Sequence, residues 1–413
     1  MTSTIPPTTR LRGLFAAALT SSLVALSACG GGGAGGSADT APAPVPAEPA
    51  PAPAPAIQPM TGATMAAGLR HTAFVKADGT VWALGDNPDG RLGDGTTVSR
   101  TSAVQVGGLG GVKAVAAGDS FTLALRNDGT VWSWGLNDRG QLGDGSTTNR
   151  LSPVPVVGLP AGIQSIVAGS YHALALDSEN RVWAWGRNVS GPVGDGSTDD
   201  RTSAVMVPGM GNTLRIAAGG FHSMGLKADG TVWSWGRNHE GQLGDGSTSL
   251  RTSPAQVMGL PPMLDVAAGC CHSAALKSDG TVLTWGGNEV GQIGDGTTTR
   301  RLTPVAVAGL NGVTRVFAAG DRSFAMLGDG SLRGWGENRD GGIGDGSMTI
   351  RTRPSGVNLS GVSSFAPGIA HTVAVTGDGK GWTWGGNSNG RLGDGTTNNT
   401  ATPLDPFDGL LEP

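Results

Sequence analysis

Acidic, imidazole and thiol side chains recur in this chain at a regular spacing. An Asp inside Gly-Asp-Gly stands at Asp94, Asp144, Asp195, Asp245, Asp295, Asp345 and Asp394, at intervals of 50, 51, 50, 50, 50 and 49 residues. An Arg follows six residues later in six copies, from Arg100 to Arg351, and Thr400 replaces it in the seventh. Five of the six His share one offset: His71, His172, His222, His272 and His371. Phe121 and Ser323 take that place in the other copies. Cys270-Cys271-His272 adds a thiol pair. Such residues suit carboxylate acid–base chemistry, an imidazole metal ring or thiol redox chemistry. Their regularity points elsewhere, because a turn or a contact between units is needed in every repeat and a catalytic group only once. Equivalent imidazoles in neighbouring units would lie several ångströms apart, beyond the about 2.0–2.1 Å at which His nitrogens hold a shared zinc. The His are therefore expected to bond backbone carbonyls of a neighbouring turn. The Asp, the Arg and the repeated Asn, as at Asn137 and Asn238, are expected to satisfy turn backbone and link adjacent units. Adjacent Cys are expected to be small core residues. No P-loop, Gly-x-Ser-x-Gly or His-Glu-x-x-His occurs. No catalytic, metal-binding or cofactor-binding residue is assigned.

The elements that must position these residues are short strands. In the second copy the run is Val112 to Gly118, Phe121 to Leu125, Asn127-Asp-Gly129, Thr130-Val-Trp-Ser-Trp-Gly135, Gln141 to Gly145, Arg150 and Pro153 to Val157. Trp132 and Trp134 stand two apart and so share one face of a strand. Asp128-Gly129 between two such runs predicts a hairpin with a type I′ turn. The third copy has Glu179-Asn180 there, and Asn tolerates positive φ next best after Gly. Four strands plus turns use about fifty residues and leave no room for a helix. Seven four-stranded units predict an all-β, seven-bladed β-propeller, in which closure into a ring covers both faces of every blade. Thr402-Pro-Leu404 and Phe407 to Leu410 match the strand that ends each other copy, and the first copy has no such strand before Met65. The expectation is that the C-terminal strand completes the first blade. The eleven Trp recur in every copy in the strand after the Asp-Gly turn, as packing between blades requires.

Composition bounds the function. Of 413 residues 72 are Gly and 15% are charged, with a formal net charge of −4. The glycine content excludes a mainly helical chain, and the charge excludes a broad basic surface for nucleic acid. Three Cys cannot build a dense disulfide framework. Residues 1–28 read as a signal peptide: Arg10 and Arg12 precede an apolar stretch from Leu14 to Leu26, too short to span a bilayer as a mature helix. Its removal takes away two Arg and no acid, so −4 becomes −6. Residues 29–60 hold a Gly run and a Pro/Ala alternation, a tether that cannot bury a core. Residues 61–413 hold the repeats.

The phrases Ala-Ala-Gly-x-x-His, Asp-Gly-x-Val-x-x-Trp-Gly and Gly-Gln-Leu-Gly-Asp-Gly resemble the regulator-of-chromosome-condensation repeat family from about Thr64 to Leu410. Leu26-Ser27-Ala28-Cys29 resembles the lipobox of bacterial lipoproteins. That resemblance implies acylation of Cys29, export and a lipid anchor in the cell envelope, with the outer membrane favoured because Gly30 follows the Cys. The family resemblance implies the propeller and, by analogy with its founding member, guanine-nucleotide exchange. That member carries an inserted wedge and a basic tail; here the repeat spacing leaves no room for a wedge, and the tail is Pro/Ala. A propeller that inhibits an enzyme resembles this family too. The function expected is a non-enzymatic scaffold that binds a protein partner, acting as a monomer without cofactor or nucleic acid. Repeated positions build the ring, so a partner must be recognised by positions that vary. The residue before the His offset reads Arg70, Ser120, Tyr171, Phe221, Cys271, Arg322 and Ala370. These are expected on one propeller face, and Arg, Tyr and Phe suit an interface centre.

Overall fold

The computed structural model describes residues 63–407. The signal segment, the tether and Cys29 lie outside the described residues, as do the first and last few residues assigned to the ring. Every described element is a strand, and the strands form seven four-stranded antiparallel sheets. The second blade shows the plan. Its inner strand is Val112–Ala117, followed by Phe121–Arg126, Val131–Gly135 and the outer strand Arg150–Pro155, each paired with the next.

The Asp-Gly hairpin differs from the expected mirror-image turn. Gly129 has φ +80° while Asp128 stays out of the left-handed region. The Gly129 N–H donates to the Arg126 carbonyl at 3.0 Å, and the Arg126 N–H donates to the Thr130 carbonyl at 2.9 Å. This is a type I turn followed by a left-handed glycine bulge. Asp128 contributes its carboxylate, which accepts from the Thr130 N–H and hydroxyl. In the third blade Asn180 takes the left-handed position with φ +59°.

The C-terminal strand completes the last blade, not the first. Thr400–Leu404 pairs with Gly381–Gly385, and the first blade has its own outer strand, Arg100–Gln105, paired with Val81–Gly85. The strand matched in sequence to the end of each copy pairs within that copy, because the Gly-Asp-Gly loop turns it back onto the Trp strand. Closure therefore uses the ordinary contact between blades. His371 bonds Thr72, the Arg391 guanidinium donates to the Leu69 carbonyl at 2.8 Å, and Phe407 packs on Phe74 with centroids 5.1 Å apart.

That ordinary contact is built by the repeated residues. Trp134, Trp185, Trp235, Trp285, Trp335 and Trp384 are fully buried between blades. Gly143 has φ +68°, and a Cβ there would sit 2.8 Å from the Trp185 ring of the next blade. A glycine is thus required on both conformational and spatial grounds. The indole N–H of Trp285 donates to the Gln242 carbonyl of the preceding blade at 2.9 Å, and the Ser273 hydroxyl donates to the same carbonyl at 2.8 Å. Since that proton is committed, the hydroxyl oxygen accepts from His222 Nε2–H at 2.9 Å. His71 with Thr122, His172 with Ser223, His272 with Ser323 and His371 with Thr72 repeat this relay. The imidazoles therefore reach a neighbouring hydroxyl, not the expected carbonyl. Burial, helped at His71 by the charges of Arg91 and Arg391 and at His222 by the neighbouring imidazoles, lowers these two to about 3, and burial lowers His172 and His272 to about 4.

The Asp, Asn and Arg act inside their own loop. Asn137 Nδ2 donates to Asp144 at 3.1 Å and to the Ser146 carbonyl, while its Oδ1 accepts from the Leu142 N–H at 3.0 Å. Arg150 Nε donates to Asp144 Oδ2 at 2.7 Å. Burial alone would raise the Asp144 carboxyl, but Ser146 and Arg150 hold it below its ordinary value. At this loop the link to the next blade is made by backbone, as when the Gly145 N–H donates to the Thr202 carbonyl at 2.8 Å.

Candidate functional site

The inner strands surround a central channel with a cavity of about 430 Å³, walled mainly by Ala and Val. At one end it opens through a mouth lined by the loops between inner and second strands. The candidate residues sit around that mouth, each fixed by one backbone bond. The residue after the Gly that ends the third strand donates its N–H to the carbonyl of the residue just before the second strand. Asp86 donates to Arg70, Leu136 to Ser120, Arg187 to Tyr171, Arg237 to Phe221, Gly287 to Cys271, Glu337 to Asp321 and Gly386 to Ala370, all at 2.8–2.9 Å.

The sixth position is Asp321, not Arg322. Arg322 pairs with Gly336 as His272 pairs with Gly286, so it takes the His offset assigned to Ser323. The sixth copy reads Phe-Ala-Ala-Gly, and its Gly is displaced by one residue; strand pairing, not that Gly, sets the register. Arg322 is 2% exposed and donates to the Gly368 carbonyl of the next blade at 2.8 Å. Room for it comes from Gly342, where a Cβ would collide with the guanidinium. Arg322 therefore joins the ring-building residues and leaves the partner face.

Arg70, Ser120, Tyr171, Phe221 and Cys271 do share the mouth, and they differ in what surrounds them. Tyr171 and Phe221 lie nearly parallel, with an interplanar angle of 16° and centroids 6.4 Å apart. Arg187 flanks both rings, 5.7 Å from the Tyr171 centroid and 5.3 Å from that of Phe221, and Arg237 flanks Phe221 at 5.7 Å. Among the described residues neither guanidinium pairs with a carboxylate, whereas six of the seven Gly-Asp-Gly carboxylates hold their Arg. The arrangement is an alternating aromatic and cationic ladder across the third and fourth blades, able to stack planar groups and hold carboxylates. Arg187 and Arg237 were missed from sequence. Their signal was a variable residue, Asp86, Leu136, Arg187, Arg237, Gly287, Glu337 and Gly386, flanked on both sides by constant ones.

The rest of the rim is more acidic. Burial raises the Asp119 carboxyl to about 6 against a hydrogen bond from Ser170 and the charge of Arg91. Burial, with Glu337 and Glu289 nearby, also raises Asp321. Cys270 and Cys271 are half-buried rather than core residues, and their sulfurs lie 3.2 Å apart. Sharing a hydrogen bond, they push the Cys270 thiol up and the Cys271 thiol down.

A sequence model described as the RCC1-like domain matches residues 13–321. Among solved structures, yeast RCC1 (Prp20) bound to Kap60 aligns at 22% identity and TM-score 0.72, covering 80% of this chain and 84% of that one. Prp20p of Saccharomyces cerevisiae, described with its binding properties to Gsp1p and histones, aligns at 23% and 0.73, covering 81% and 87%. Human WBSCR16 aligns at 24% and 0.69, covering 79% and 92%. At these identities the likeness is one of fold.

Proposed function

The chain belongs to the RCC1-like domain family, and from that membership we propose a non-enzymatic protein-binding scaffold, tethered to an envelope membrane through acylated Cys29, that grips its partner with the channel-mouth face around Tyr171 and Phe221. One observation carries this reading. The ring is built by residues that recur in nearly every blade, and the ladder of Tyr171, Arg187, Phe221 and Arg237 is a feature of the mouth that does not recur. Parallel aromatics with unpaired guanidinium groups are the side chains that concentrate binding energy at interface centres. That yeast Prp20 is described with Kap60, Gsp1p and histones supports a protein as the kind of occupant. Guanine-nucleotide exchange is the family alternative; the described strands and loops include no inserted wedge, which favours the scaffold. An inhibitor that seats an enzyme on this face is the same reading with its partner specified.

The test is crosslinked capture from envelope extract with the intact chain. Tyr171→Ala/Phe221→Ala, with an unchanged melting temperature, is expected to lose the captured protein. Equal capture by wild type and variant rejects this face. Release of labelled nucleotide from a GTPase by the wild-type chain would favour exchange instead.

A further inference from the structure

The thiol pair is not consumed by the ring or by the aromatic ladder, and both cysteines are half-buried rather than enclosed. Cys271 occupies the position that Tyr171 and Phe221 hold in the preceding blades. There Arg187 and Arg237 lie against the ring of their own blade, but the equivalent residue beside Cys271 is Gly287, whose added Cβ would stand 3.5 Å from Cys271 Cβ. Cys270 lines the channel mouth and faces Gly220 of the neighbouring blade, where an added Cβ would stand 3.3 Å from its sulfur. Gly287 thus spares Cys271 the arginine that lies over Tyr171 and Phe221, and Gly220 brings only backbone, not a side chain, against the Cys270 sulfur.

Two facts select the chemistry. Adjacent Cα atoms across a trans peptide are about 3.8 Å apart, below the about 4.4–6.8 Å usual for a disulfide. A bond between these sulfurs would be strained and readily reduced. A bridging atom, by contrast, needs the sulfurs near each other but not bonded, as they are at 3.2 Å. Among the described residues no third His, Cys, Asp or Glu completes a metal-binding group, so a four-ligand zinc site is not formed. We propose that Cys270 and Cys271 form a bidentate soft-ligand site for a thiophilic trivalent metalloid that brings its remaining substituent with it. Thiolates are the ligands that soft centres select. For an aryl arsenic(III) oxide the step balances as two thiols plus the oxide giving a dithioarsinite and one water. Two As–S bonds form, the As=O bond is lost, both thiol protons leave in the water, and arsenic stays trivalent.

The probe is phenylarsine oxide. The full chain is used with Cys29→Ser in every variant, so that the pair supplies the only thiols, and is reduced with a phosphine that is then removed. Intact mass is expected to show one adduct with loss of one water, and both thiols should become unreactive to maleimide. Cys270→Ser and Cys271→Ser should each weaken the adduct by on the order of 100-fold in competition with a monothiol, because the second sulfur acts at high effective concentration. No adduct, an adduct equally strong in either single variant, or a reduced pair that returns to a mass two hydrogens lighter before the probe is added would each overturn the site.

Discussion

Replacing Ser273 by Ala removes the hydroxyl that links two blades while sparing the larger side chains around it. The Gln242 carbonyl keeps its bond from Trp285, so the loss falls on His222, whose Nε2–H then points at a methyl group. Its Nδ1 already lacks a partner in this fully buried ring. A buried donor left unsatisfied costs about 1–3 kcal/mol. His222→Phe alone leaves Ser273 its bond to Gln242 but forces a larger ring into the slot, at about 1–3 kcal/mol. The chain carries the compensated pair in another blade contact: where Phe121 replaces the His, Ala173 replaces the facing hydroxyl residue. His222→Phe/Ser273→Ala copies that pair, since the shorter Ala makes room for the longer ring and no donor is orphaned. The double variant is expected to cost no more than the milder single, a coupling of at least about 1 kcal/mol. Denaturant midpoints at pH 7.5 measure all four proteins. Additivity within about 0.5 kcal/mol would refute the relay.

The same imidazoles should make the ring sensitive to acid. Their folded values lie well below the unfolded 6.5, so their stability is fully present above pH 6.5 and is lost as pH falls toward 4. Each His contributes about 1.4 kcal/mol per pH unit in that window, and melting temperature should drop steeply between pH 6 and pH 4.5. Asp119 works in the opposite sense. Its folded carboxyl, near 6, holds a proton that the unfolded chain has lost above about 4, so stability falls as pH rises from 4 to 6. Asp119→Asn should therefore stabilise by up to about 3 kcal/mol at pH 8 and by nothing at pH 3.5; an equal shift at both values would contradict the assignment. Gly342→Ala should push the Arg322 guanidinium off the Gly368 carbonyl and leave a buried charge unpaired, at about 3–5 kcal/mol. Thermal melts of Gly342→Ala and of Gly342→Ala/Arg322→His distinguish this from a simple backbone effect, because only the second should recover.

Sequence reading reached the blade count and the role of the Trp, because a fifty-residue period with Asp-Gly turns has few structural solutions. It failed where one landmark was trusted over strand pairing. The displaced Gly320 moved Arg322 onto the face, and the lack of a matching strand before Met65 sent the C-terminal strand to the first blade, although Arg100–Gln105 already completes it. The carbonyl-sharing relay was not legible, since a hydroxyl 51 residues from its His carries no local signal. Arg187 and Arg237 went unnoticed for a related reason: an Arg after Trp-Gly looks ordinary until the backbone bond to Tyr171 or Phe221 sets the two side chains together. The surroundings of Cys270 and Cys271 depend on glycines at 220 and 287 in other strands and loops, which local sequence does not reveal.

The claim that the symmetry-breaking mouth is the recognition surface is tested most directly by a photocrosslinking amino acid placed at Tyr171 and, separately, at exposed Asp279 in a turn on the opposite face. Irradiation in intact cells is expected to give a discrete protein adduct from position 171 and none from position 279. The same adduct from both positions, or an adduct from position 279 alone, would contradict it.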